Sequence, residues 1–577
     1  MPTRLTFVMP GLRPLKCLAT VTAALCALAA PPVASALSVA PARAATALAA
    51  GAVAAPDPWG AATAAEILRA GGNAVDAAVA TAFTLAVTYP QAGNLGGGGF
   101  MTLVVNGTPY FLDFREEAPL LASRDMYLDA AGTVIPDLSL VGAKGAAVPG
   151  TVRGLWLAHQ RFGRLPWQRD LAPAIRYARD GFVVSKELAA NADDSSKSLA
   201  GRTNFDRYFG KLKAGQRWRQ PELAATLARI SADGVDGFYS GKTADLIVAQ
   251  MARDGGLISR ADLTTYRAAW RAPLVVPWRG MQIVTAPPPS SGGVGLVQLL
   301  LMKDAQAAAF AGVLQNSAQY VHLLAELEKR VFADRAEYMG DPDFTVVPVA
   351  ALTDAGYLAR RAAQIDTVKP SPTPAIRPGL GESHQTTHFS VVDRSGNAVS
   401  TTYTLNDEFG NGEVVEGAGF LLNNEMDDFS SKPGVANLFG VVGSTANEIA
   451  PAKRPLSSMT PTILMRDGRV SFVVGTPGGS RIFTSVFQVI CNVYDYGMTL
   501  PEALAAPRIH HQLLPADTLF EEPFARLPAA IRDDLAARGY RLENQGWDGN
   551  VQAIAIRDRQ PLPASDPRGI GAARVVR

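Results

Sequence analysis

Thr386 is the residue of this 577-residue chain with the means to act as nucleophile and base together. It opens a run of β-branched and aromatic residues from Thr386 to Val392; a turn cluster follows at Asp393 to Asn397, and a second β-branched run reaches Thr404. The pattern predicts a hairpin. Upstream, Lys369-Pro370-Ser371-Pro372-Thr373-Pro374 and Pro378-Gly379-Leu380-Gly381 leave little scope for regular structure. A cut after Gln385 would free the α-amino group of Thr386, whose ordinary pKa of about 7.7–8.0 lets it take the proton of the residue's own hydroxyl near neutral pH. No His or Asp partner is needed for that transfer. Read alone, Thr386 and Thr387 are two β-formers opening a strand, so the surrounding residues have to decide.

The elements that must position Thr386 are legible in outline. Trp59 to Ala70 and Asn73 to Val87 read as a helical pair broken at Gly71-Gly72, followed by strands at Phe100 to Val105 and Tyr110 to Phe114. Between them, Gly96 to Gly99 permits φ > 0 and close backbone approach. No G-x-G-x-x-G unit follows, and Gly237 to Thr243 is one residue short of a P-loop. Gly154 to Phe162, Trp167 to Asp180 and Ser317 to Met339 have helical spacing and read as covering layers. The apolar pattern Ile482, Phe483, Val486, Phe487, Ile490, Val493 predicts a helix over Ser480 to Val493, with Cys491 as a core residue.

Several stretches together resemble the γ-glutamyltranspeptidases, members of the N-terminal-nucleophile hydrolase superfamily. They are Gly93 to Met101, Asp113 to Glu116, Glu382 to Asn406, Leu421 to Phe429, Lys453 to Thr462, Gly475 to Arg481 and Ala564 to Arg568, in the family's order and spacing. The resemblance implies an α+β fold, a four-layer αββα sandwich built jointly by two interleaved subunits cut from one precursor. The large subunit would span 45–385 and the small subunit 386–577.

It also implies roles. Thr386 would attack the γ-carbonyl of a glutamyl donor such as glutathione, and water or an amino acid or dipeptide amine would release the glutamyl group from the resulting ester. Thr404 would hydrogen-bond the nucleophile or its amine. Gly478 and Gly479 would offer two backbone N–H groups to the developing oxyanion, just ahead of a helix N-terminus. Arg115, with Ser457 and Ser458, would bind the α-carboxylate, and Asn406, Glu425 and Asp428 the α-ammonium. On position alone, Glu425 and Asp428 read as a solvated acidic face and Arg115 with Glu116 as a surface pair. Attack of Thr386 on the Gln385 carbonyl would cut the precursor. The segment Gly434 to Asn447 resembles a lid in which many bacterial members have a Tyr; Phe439 stands there instead and lacks the hydroxyl.

Residues 1–44 carry Arg4, Arg13, Lys16 and Arg43, no acidic residue, and an apolar run from Cys17 to Ala30, shorter than the ~20 residues that span a bilayer. With A-x-A sites ending at Ala36 and Ala44, this reads as a secretory signal that is removed, giving an exported, periplasmic or secreted protein without a membrane anchor. Losing the leader's four cations takes the formal net charge from +2 to −2, which argues against nucleic acid. Cys491 is the one cysteine outside the leader, so no intrachain disulfide is expected. The six histidines form no H-E-x-x-H spacing, and neither metal nor cofactor is expected. Two other functions stay open: a glutaryl-type cephalosporin acylase on the same fold, and an exported binding protein with a degenerate site.

Overall fold

A computed structural model describes residues 47–373, 376, 385–432, 444–545 and 549–577, the side chain of Gln385 excepted. Thirteen strands form two main sheets: β1 (Gly51–Ala55), β2 (Gly98–Val105), β3 (Thr108–Phe114), β4 (Ala269–Arg271), β5 (Leu274–Trp278), β6 (Met281–Thr285), β7 (Gln385–Val392), β8 (Ala398–Asn406), β9 (Thr462–Arg466), β10 (Arg469–Gly475), β11 (Gln552–Arg557), β12 (Gln560–Ser565) and β13 (Ala572–Val576). The seven-stranded sheet runs β13-β1-β7-β8-β2-β3-β4, and the six-stranded sheet runs β12-β11-β10-β9-β6-β5. All their pairings are antiparallel.

Successive side chains of a strand point to opposite faces, so each face needs its own cover. Ala52, Ala54, Val392 and Ala398 pack between the sheets against Val284, Ile463, Val473 and Ile554. Their neighbours Val53, Ala55, Val391 and Val399 face the other way, into a core closed by α1 (Pro58–Arg69), α2 (Ala74–Thr88), α3 (Thr151–Phe162) and α4 (Trp167–Asp180). The outer face of the second sheet packs on α5 (Gly292–Ala305), α6 (Ala318–Tyr338) and α7 (Ile482–Tyr494). The result is the four-layer αββα sandwich. Cys491 is a buried free thiol in α7.

The expected boundaries hold to within a few residues. Asp57 caps α1, a capping box of Asn73 and Asp76 starts α2, and Gly71 between them sits at φ 91°. The first turn of the helix expected at Ser480 is instead 3-10, Gly479–Arg481, before α7. The leader and Phe439 lie outside the described residues.

Of the two reasons for Gly96 to Gly99, close approach is the one that operates, because none of the four has a left-handed φ. A Cβ on Gly97 would stand 2.0 Å from the Thr404 carbonyl oxygen, and one on Gly99 2.4 Å from that of Thr402. These glycines let β2 and the loop before it lie directly against β8. Gly97→Ala is expected to destabilise the protein by about 1–3 kcal/mol through forced displacement of β8, read as a lower urea midpoint with an unchanged slope.

Candidate active site

The inner face of β7 and β8 changes from apolar to polar along its length. Val392 and Ala398 lie in the inter-sheet core at the turn end; the even-numbered residues beyond them are Ser390, His388 and Thr386 on β7, and Ser400, Thr402 and Thr404 on β8. His388 is fully buried, with Nδ1 2.8 Å from Thr402 Oγ1 and Nε2 3.1 Å from Ser390 Oγ. Burial pushes its imidazole down to about 3, so it is neutral near pH 7 and serves packing.

Thr386 is 7% exposed, and its Oγ1 lies 3.5 Å from that of Thr404. That is longer than an ordinary hydroxyl hydrogen bond, as catalytic contacts often are before substrate binds. The Thr404 oxygen accepts the Asn406 N–H at 2.8 Å, while its carbonyl accepts Asn94 Nδ2 at 2.8 Å. β8 carries one extra residue here: Tyr403 opposes Thr387, yet Asn406 opposes Gln385. Asn406 absorbs the irregularity at φ 78°, a conformation that Asn tolerates better than most residues. The bulge turns the end of β8 away from a plain ladder, and the Asn406 side chain donates to the Asn424 carbonyl at 3.0 Å.

Asn424 leads into a 3-10 turn, Glu425–Asp428, which meets Arg115 at the end of β3. Arg115 lies 2.7 Å from Glu425, 2.5 Å from Asp428 and 3.4 Å from Glu116. It also donates to the Pro455 and Leu456 carbonyls, each at 3.2 Å, beside Ser457. Arg115, Glu116 and Glu425 are almost completely buried, so neither a surface pair nor a solvated face describes them. Burial raises Glu116, Glu425 and Asp428 above the usual carboxylate range, and the Arg115 charge opposes it. Three carboxyl groups thus share one guanidinium, and burial holds them towards their neutral forms.

Ser457 and Ser458 sit in the next turn of chain. The Ser457 oxygen accepts the Met459 N–H at 3.2 Å, and the Ser458 oxygen lies 3.2 Å from that of Ser291. Gly478 and Gly479 follow β10 at φ 136° and 54°, conformations in which glycine is favoured. The loop is seated by Gly475, against which the His388 ring packs so closely that a Cβ there would stand 2.4 Å from it. Thr386, Thr404, Asn406, Glu425, Asp428, Arg115, Ser457 and Ser458 thus form one connected neighbourhood. The Gly478-Gly479 loop joins it through the strand that carries His388. Asn94, Glu116, Ser291 and Arg335 belong to the same network, and sequence reasoning gave them no role.

The gamma-glutamyltranspeptidase family model matches residues 60–576. The chain belongs to this family. The glutathione hydrolase proenzyme of Pseudomonas aeruginosa is 62% identical over 528 residues, which cover 91% of this chain and 95% of that protein. A γ-glutamyltranspeptidase from Pseudomonas nitroreducens, solved in complex with L-DON, is 59% identical with a TM-score of 0.57, covering 57% of this chain and 99% of the solved one. A cephalosporin acylase from Bacillus halodurans is 27% identical with a TM-score of 0.79, covering 92% of this chain and 96% of its own. Among the described residues, one His-carboxylate group is compact enough to share an ion: Asp76, His159 and Asp170. There Asp76 caps α2 and accepts the Arg164 and Leu165 N–H groups as well.

The unfolded chain binds a proton at His388 near its ordinary 6.5, whereas the folded chain binds it only near 3. Stability therefore rises with pH across that window and is lost as pH falls from about 6.5 towards 3, with a contribution on the order of 5 kcal/mol from a shift of this size. His388→Gln, which keeps a donor and an acceptor, is expected to flatten the acid side of a denaturation-midpoint curve between pH 6.5 and 4. An unchanged slope would contradict the neutral, buried assignment.

Proposed function

We propose that the chain is a proenzyme that cuts itself between Gln385 and Thr386 into a large subunit, 45–385, and a small subunit, 386–577, which stay together as a heterodimer. In the cut, Thr386 Oγ1 adds to the Gln385 carbonyl carbon, the C–N bond breaks, its nitrogen takes the hydroxyl proton, and water hydrolyses the ester. The new α-amine then acts as the base for Thr386. The mature enzyme is a γ-glutamyl hydrolase and transferase: Thr386 attacks the γ-carbonyl of glutathione or another γ-glutamyl compound, and water or an amino acid or dipeptide amine accepts the glutamyl group.

The observation that carries this reading is the placement of the Thr386 hydroxyl beside Thr404, within a network that continues through Asn406 to buried Glu425, Asp428 and Arg115. Family membership and the relative named glutathione hydrolase proenzyme support it. Thr404 positions the nucleophile or its amine. Gly478 and Gly479 donate to the oxyanion, a contribution worth roughly 2.7–4 kcal/mol per donor in a comparable hydrolase. The α-carboxylate is taken by Arg115 with Ser457 and Ser458, and the α-ammonium by Asn406, Glu425 and Asp428. A zwitterionic head group suits this arrangement, because its ammonium would favour the charged forms of Glu425 and Asp428 while its carboxylate shares Arg115. Residues 1–44 direct export to the periplasm or beyond; among the described residues no helix is long and apolar enough to cross a membrane.

The likeness to a cephalosporin acylase keeps a glutaryl-type donor as the second reading. Such a donor has no ammonium and would leave Glu425 and Asp428 facing each other without it. The two readings separate on paired anilides: γ-glutamyl-p-nitroanilide is expected to exceed glutaryl-p-nitroanilide in kcat/KM by about 10- to 100-fold, the effect of one or two charge-assisted hydrogen bonds. A glutaryl preference would make the enzyme an acylase, and no turnover by the cleaved protein would point to a binding function.

A further inference from the structure

The serine pair is held in place from the other side of the cleavage point. Ser291, immediately before α5, donates its backbone N–H to the Ser457 carbonyl at 2.7 Å, and its hydroxyl lies 2.8 Å from the same oxygen. The Ser457 N–H returns to the Pro289 carbonyl at 2.9 Å. Behind Ser291 stands Arg335 on α6, almost fully buried, whose Nε donates to Ser291 Oγ at 2.8 Å. A guanidinium has donors and no acceptor, so Ser291 must accept from it. The single Ser291 proton then goes to the Ser457 carbonyl. With that proton committed, Ser291 Oγ can only accept from the Ser458 hydroxyl 3.2 Å away, so Ser458 is turned towards Ser291. The Ser457 oxygen, by contrast, accepts the Met459 N–H, so the Ser457 hydroxyl keeps its own proton to give.

The charge of Arg335 matters as well. Burial lowers its hold on a proton and the negative charge of Asp428 strengthens it, and a guanidinium stays cationic in such surroundings. Together with Arg115 it makes two cations among the three carboxylates Glu116, Glu425 and Asp428.

We propose that Arg335 is a positioning residue for the donor's α-carboxylate. Acting through Ser291, which clamps the Ser457 carbonyl and accepts from the Ser458 hydroxyl, it fixes the Ser457-Ser458 turn with the Ser457 hydroxyl left to donate to that carboxylate, and it adds a second positive charge behind the turn. The inference rests on the reading of the serine pair as the α-carboxylate subsite. It makes a large-subunit helix responsible for ordering a small-subunit recognition loop.

The test compares two donors: γ-glutamyl-p-nitroanilide and 4-aminobutanoyl-p-nitroanilide, which keeps the ammonium and lacks the α-carboxylate. Arg335→Gln is expected to raise KM for the first by about 10- to 100-fold, the range for a lost charge-assisted interaction, and to change kcat/KM for the second by less than about 3-fold. Arg335→Lys should recover part of the KM, and Ser291→Ala should shift KM in the same direction by a smaller factor. Equal loss on both donors, or an unchanged KM for the first, would overturn the role of Arg335. If Arg335→Gln fails to fold or to cleave, Ser291→Ala decides on the same readouts. A wild-type enzyme that turns over both donors equally well would instead remove the subsite reading itself.

Discussion

The architecture depends on how β7 is held. Its far half, Ser390 to Val392, is clamped between β1 and β8, whereas among the described residues its first residues pair with β8 alone. The strand therefore cannot slide, because a shift of one residue would turn Val391 and Phe389 out of the helix-side core and bring polar neighbours into it. Among the described residues, no strand pairs with the other edge of its beginning. A chain cut before Thr386 would leave the strand fixed by its remaining ladder while the upstream segment moved away. Self-processing and catalysis can then use the same atoms in the same place.

The second constraint is electrostatic. A buried carboxylate without a partner costs several kcal/mol, and this neighbourhood gathers three of them around Arg115. Such a cluster is poorly matched with itself and well matched with a head group that brings one charge of each sign. Arg115 also ties the 3-10 turn of Glu425–Asp428 to the carbonyls of Pro455 and Leu456, so the side chain proposed for recognition also organises the local fold.

Much of this was legible in the sequence where local rules apply. The hairpin, the broken helical pair and α4 follow from periodicity and turn residues, and the types needed for a zwitterion could be named. Three features were not legible. The bulge at Tyr403 to Asn406 is an extra residue only relative to a partner strand, so the run to Thr404 reads as regular. Burial of Glu116 depends on Gly98, against which its carboxylate packs closely enough to exclude a Cβ, and that approach has no local signature. In sequence α6 reads only as a covering layer, yet its Glu326, Glu328, Lys329, Arg330, Asp334 and Arg335 are all buried, with Lys329 and Arg330 each 2.8 Å from Glu326. Only packing against the second sheet reveals Arg335 as a neighbour of the serine pair.

The most direct measurement is the intact mass and N-terminal sequence of each chain in the purified protein, beside Thr386→Ala. The account predicts two wild-type chains, one beginning Thr386-Thr387-His388, and a single uncut chain for the variant. A folded wild-type protein that stays uncut, or a variant that is cut at the same bond, would contradict Thr386 as the self-processing nucleophile.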